Sequence, residues 1–123
     1  MGILGPHEDK ELDLMLKNQK QLALFYTDYN IPDEFTPYLE KGVFKLKTIK
    51  LLDFQDNLFH YYIIYNPKHT NKARLFKKIL KKSHYSSFNE TYERKIGKLL
   101  GYKREDVEFF IQHFKQYLLS LKN

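Results

Sequence analysis

Cysteine does not occur in this chain of 123 residues. Its absence excludes disulfides, a thiolate nucleophile and a thiolate zinc site, and it suits a reducing cytosol. Tryptophan is missing as well, so ten Phe and ten Tyr supply all the large rings, and the Tyr hydroxyls require water or partners. Some tyrosines are therefore expected at the surface. The five glycines are scattered, which excludes a glycine-rich loop that cradles phosphates. Long apolar runs are lacking too: the longest, Leu58 to Tyr65, has strand length and contains His60, far short of a membrane span. Met1 to Pro6 lacks the basic start of a secretory signal. These absences lead to the expectation of a soluble, cytoplasmic protein with no membrane partner and no cofactor.

Acidic residues are scarce in one window. Between Lys68 and Arg104 stand twelve basic side chains against two acidic ones, Glu90 and Glu93. The opening 42 residues have the opposite bias, four basic against eight acidic, so the net charge of +6 conceals a charge asymmetry. A surface of one sign attracts a polyanion before specific contacts form. An acidic opening segment lying across the basic one would be a purely structural use of the same asymmetry.

Hydrophobic periodicity divides the chain into elements of a single domain spanning residues 1–123. Leu12, Met15, Leu16, Leu22, Ala23 and Tyr26 follow the spacing of one helical stripe and predict a helix from Asp9 to Tyr26. A short helix is expected from Asp33 or Thr36-Pro37 to Gly42. Residues 43–54 and 58–65 are β-branched and aromatic and predict an antiparallel hairpin around Gln55-Asp56-Asn57. In its first strand Phe44 and Leu46 lie on one parity and Ile49 and Leu51 on the other, so a bulge near Thr48 is expected.

A basic helix follows from Thr70 or Asn71 to Lys82, with Leu75, Phe76, Ile79 and Leu80 inward, and then a loop from Ser83 to Phe88. Ser87-Phe88-Asn89-Glu90 has capping-box spacing ahead of a helix that buries Tyr92, Ile96, Leu99 and Leu100 and stops at Gly101. The last helix opens with Glu105 and Asp106 and carries Val107, Phe110, Ile111, Phe114, Tyr117, Leu118 and Leu121 on one face. The expected fold class is α+β: an antiparallel β-hairpin packed against about five helices.

Candidate sites follow from these placements. Lys72, Arg74, Lys77, Lys78, Lys81, Lys82, Arg94, Lys95, Lys98, Lys103 and Arg104 are the candidate nucleic-acid-binding residues, contacting phosphates without strong sequence preference. The alternative is that they are solvated helix faces. A helix-turn-helix reader is disfavoured, because Glu105, Asp106 and Glu108 would face the bases. Asp53, Asp56 and His60 around the hairpin loop are the best metal constellation, although turn chemistry also accounts for the aspartates. His7, His69, His84 and His113 show no ligand spacing. Pro32-Asp33 with Glu93-Arg94-Lys95 lacks the strand context of a metal-dependent nuclease, since Glu93 falls in a helix.

Arg94-Lys95-Ile96-Gly97-Lys98-Leu99-Leu100-Gly101-Tyr102, followed by Asp106-Val107 and Phe109-Phe110, resembles a segment of a small uncharacterised prokaryotic domain family. In that family a strand rich in Tyr and Ile and a helix lead into a similar Gly-x-Leu-Leu-Gly-Tyr turn. The likeness covers about residues 60–110. It implies a packed helix-turn-helix, and since no activity is established for that family it points to no function. This chain departs from it at Lys103, where a Pro is usual, and at Asp106, near which some members carry cysteines. Three functions are thereby open: a basic nucleic-acid-binding module, a protein-interaction or self-associating domain anchored by Tyr85, Phe88 and Tyr92, and a metal-dependent hydrolase.

Overall fold

A short helix, α1 (Glu11–Leu16), opens the fold of the computed structural model, which describes residues 2–27 and 30–121. Asn18 ends it in the left-handed conformation, φ 59°, which asparagine tolerates better than most residues. The Asn18 amide donates to Met15 O and the Gln19 amide to Leu14 O, the bonds of a Schellman stop. The chain then leaves as a strand, β1 (Leu22–Tyr26), where the sequence predicts more helix. Leu22, Ala23 and Tyr26 fit a helical stripe, but strand pairing to a distant partner overrides that local pattern.

That partner is β3 (Leu58–Tyr65), which also pairs with β2 (Lys45–Leu52), giving an antiparallel sheet of order β1-β3-β2. The expected hairpin is present, with a third strand on its far side. No bulge occurs: the β2–β3 register runs unbroken from Lys45↔Tyr65 to Leu52↔Leu58. The change of parity has another cause, which is that the sheet is covered on both faces. Ile49 and Leu51 join Leu22, Ile63 and Tyr65 in one core, while Phe44 joins Ala23, Phe25 and Ile64 in the other. Strands β1 and β3 serve the two cores on alternate residues, whereas β2 buries only Ile49 and Leu51 and leaves Leu46, Thr48, Lys50 and Leu52 exposed on its other side.

Different helices close the two sides. After a 3-10 turn (Asp33–Phe35), α2 (Thr36–Glu40) and α1 cover one face, contributing Phe35, Tyr38, Leu39, Leu12 and Met15. On the other face lie α3 (Thr70–His84) and α4 (Glu90–Leu99), through Ala73, Phe76, Leu80, Ile96, Leu99 and Leu100. Burying a side chain such as Phe76 or Phe35, each fully enclosed, contributes about 1.5–3 kcal/mol. Leu75, read as inward from its spacing, is half exposed, and Ala73 takes its place against the sheet.

Capping also differs in detail from the sequence reading. Thr70 is the first residue of α3 and its hydroxyl donates to Pro67 O, and α3 runs two residues beyond Lys82 to His84. Asn89, two residues after the expected cap Ser87, caps α4 by accepting from the Tyr92 amide. The last helix, α5 (Arg104–Ser120), packs on α4 through a close approach at Gly97. A Cβ there would overlap Val107 Cγ2 and lie 3.2 Å from Cγ1. Gly101, φ 79°, makes the turn between the two helices, with a second Schellman pair from Tyr102 N to Gly97 O and Gly101 N to Lys98 O. The fold is thus α+β, as the residue patterns imply, with five α-helices and three strands among the described residues. None of these helices is long and apolar enough to cross a membrane.

Candidate functional site

On α3, Ala73, Phe76, Ile79 and Leu80 fix the buried side. With 3.6 residues per turn, Arg74, Lys77, Lys78, Lys81 and Lys82 then fall on an outer arc of about 140° opposite the core. Arg74, Lys78, Lys81 and Lys82 are exposed and Lys77 is half-buried. None of the five forms an ion pair with a carboxylate among the described residues; the pairs present there involve Lys17, Arg94 and Lys115. Lys72 stands apart at the start of the helix, donating to Gln21 Oε1. The acidic opening segment does not lie across this arc. Its helices α1 and α2 pack on the opposite face of the sheet from α3, and residues 3–6 meet α3 at Leu80 and Ser83, on the inner side of that helix away from the arc.

The other cations form a second group. Arg94, Lys98 and Arg104 line a 550 Å³ depression between α4 and α5 together with Glu108. Arg94 is neutralised there, Nε at 2.8 Å from Glu108 and Nη2 at 3.0 Å from Glu90, and Glu90 also binds Lys115 at 3.0 Å. Those contacts hold the Glu90 and Glu108 carboxyls below the usual range. Lys95 is exposed on α4, and Lys103 is exposed just before α5. The α4–α5 pair is a packed helical hairpin. Asp106, which a DNA reader would present to bases, is instead buried and accepts the Ile3 amide at 2.9 Å.

Asp53, Asp56 and His60 do not make a metal centre; no group of three potential ligands able to hold an ion occurs among the described residues. Asp53 Oδ1 accepts the amides of Gln55 and Asn57, and Asp56 turns the hairpin at φ 61°. His60 lies within β3, its backbone amide bonded to Thr27 Oγ1. His84 is structural: its Nε2–H donates to Leu52 O at 2.8 Å, leaving Nδ1 to accept from the Tyr61 hydroxyl at 3.3 Å.

A strongly perturbed ionisable group is one that the sequence does not single out. Lys20, 4% exposed, directs its ammonium at Leu100 O (2.6 Å) and His7 Nδ1 (2.8 Å), beneath the Tyr102 ring at 5.0 Å. Leu100 is the C-cap of α4, whose last carbonyls have no intrahelical donor, so Lys20 satisfies one of them from outside the helix. Burial pushes its amine down to about 8. Burial, with the neighbouring Lys20 charge, also pushes His7 down to about 4. The cluster is closed in by its own partners and ties the opening segment to the α4–α5 turn.

Apolar surface collects at the end of α5, where Tyr117, Leu119 and Leu121 are more than half exposed, and beside it runs a 690 Å³ groove walled by Phe88, Phe114 and Leu118. Of the expected aromatic anchors, Phe88 is half-buried against Phe114 (4.8 Å) and Tyr92 is half-buried, while Tyr85 is exposed at the end of α3. Comparison of the chain with protein-family models, curated proteins and solved structures found no match.

Proposed function

We propose that the protein is a small nucleic-acid-binding module in which the outer arc of α3 contacts phosphates without strong sequence preference. The observation that supports this reading most directly is the set of five side chains, Arg74, Lys77, Lys78, Lys81 and Lys82, which have no acidic partner among the described residues and stand on one arc of one helix. Like charges at these spacings cost a helix about 0.2–0.5 kcal/mol per pair, a penalty that a polyanion reverses. From Arg74 to Lys82 the helix rises about 12 Å, enough to follow three or four phosphates of one strand. Lys72, bonded to Gln21 on the sheet side of the helix, lies outside this arc. Lys98, Lys103 and Arg104 are peripheral contacts, and Arg94 is occupied by Glu90 and Glu108.

Affinity for a labelled mixed-sequence oligonucleotide, followed by anisotropy as salt is raised from about 50 to about 200 mM, tests this reading. Release of three to five counterions corresponds to a slope of about −3 to −5 in log K against log salt on duplex DNA. A flat dependence, or no binding near physiological ionic strength, disposes of it.

A second reading, association with another protein or with a second copy of this chain, draws on the exposed Tyr117, Leu119 and Leu121. Replacing all three by Ser or Gln should then abolish concentration-dependent growth in molar mass measured by light scattering. A wild-type protein that stays monomeric across the micromolar range excludes self-association.

A further inference from the structure

Beneath the opening segment lies a cavity of 480 Å³, within the usual range for small-molecule sites. Its inner wall is apolar, formed by Leu24, Leu80, Ile96 and Val107, and Ile3, Leu4 and Pro6 cross over its mouth. The crossing is fixed at one end by the Ile3 amide on the buried Asp106 carboxylate, and at the other by His7 on Lys20. One end of the cavity is polar. Glu93 of α4 and Ser83 of α3 line both this cavity and the 690 Å³ groove beside α5, so they stand where the two adjoin.

Glu93 is half-buried, and among the described residues no hydrogen bond or ion pair engages its carboxylate. Lys115, which lines the same groove, is committed to Glu90, and Arg94, the next residue in the chain, to Glu90 and Glu108. Tyr61 and Tyr102 line the same cavity as Glu93. A partly desolvated carboxylate without a partner is a costly arrangement in a folded protein. Set beside aromatic faces and an aliphatic wall, it is complementary to one kind of ligand, an ammonium carried on an apolar body.

We propose that this cavity binds a small amphiphilic amine, its ammonium paired with Glu93 beside Tyr61 and Ser83 and its hydrocarbon part against Leu24, Leu80, Ile96 and Val107. The site is independent of the α3 arc, and its test involves no nucleic acid. Calorimetric titration of the full chain with octylammonium, octanol and octanoate separates charge recognition from simple apolar uptake. Octylammonium should bind saturably and at least about tenfold more tightly than either of the others. Glu93→Gln, an isosteric change that leaves the packing intact, should remove that preference while far-ultraviolet circular dichroism stays unchanged. Should this variant fail to fold, amide and methyl shifts of the labelled wild-type protein decide: octylammonium must perturb Leu24, Ile96 and Val107 more than Leu118 and Leu119. Equal binding of all three probes, no saturable binding, an undiminished preference in Glu93→Gln, or shifts confined to the end of α5 overturns the proposal.

Discussion

Lys20 illustrates how much a single residue depends on partners remote in the chain. In sequence it falls on the polar side of an expected helix, and its carbonyl acceptor, Leu100, lies 80 residues away. Nothing local distinguishes it from Lys17, which makes an exposed pair with Asp13 four residues before it. Burial holds the Lys20 amine at about 8, against an ordinary value of 10.5. Between those values the unfolded chain binds more protons than the folded one, so stability rises with pH across that window, by at most about 1.4 kcal/mol per unit. Lys20→Met should erase this rise in urea midpoints measured from pH 7.5 to 10, and a slope that persists in the variant rules out Lys20 as its source. Tyr102, which burial raises to about 12, acts in the opposite sense above pH 10, so the wild-type-minus-variant difference is the informative quantity. On the acid side His7, held at about 4, removes stability as pH falls from 6.5 toward 4.

Among the elements, the hairpin was legible because β-branched and aromatic residues flank a loop of turn formers, and β3 spans Leu58–Tyr65 as its composition implies. The α4–α5 hairpin was legible from Gly101 and from the acidic first turn of α5. Strand β1 was not legible. Its five residues, Leu-Ala-Leu-Phe-Tyr, are compatible with either state, and only pairing with Ile63, Ile64 and Tyr65 decides between them. Asn18 in the left-handed conformation was the one local sign that the helix stops early. The helical hairpin provides a test at this scale. Gly97→Ala places a methyl group against Val107 and should destabilise the protein by about 1–3 kcal/mol, read from chemical denaturation. The double variant Gly97→Ala with Val107→Ala should recover part of that loss, and no recovery would mean that the contact is not the cause.

For the whole molecule, the sheet acts as a partition. Acidic α1 and α2 lie on one face and basic α3 on the other, so the charge asymmetry along the sequence becomes an asymmetry in space. Net charge alone and a localised binding face then predict different results. Lys77→Gln, Lys78→Gln and Lys81→Gln together should weaken oligonucleotide binding and flatten the salt dependence by about 2 to 3 in slope. Removing the same amount of positive charge on the far side, by Lys17→Gln, Lys41→Gln and Lys50→Gln, should leave the slope nearly unchanged. Equal effects from the two triple variants would assign the binding to overall charge and remove α3 as the contact surface.

By itself the sequence determined the α+β class, the hairpin, the three long helices and the basic character of α3, because each rests on spacing or composition within about fifteen residues. Tertiary structure alone decided that β1 is a strand, that β2 needs no bulge, and that Lys20 and Glu93 have the environments they do. The physical reason is common to all three. Strand pairing, two-sided burial and the desolvation of a charge depend on groups brought together from distant parts of the chain, and a local pattern carries no record of them.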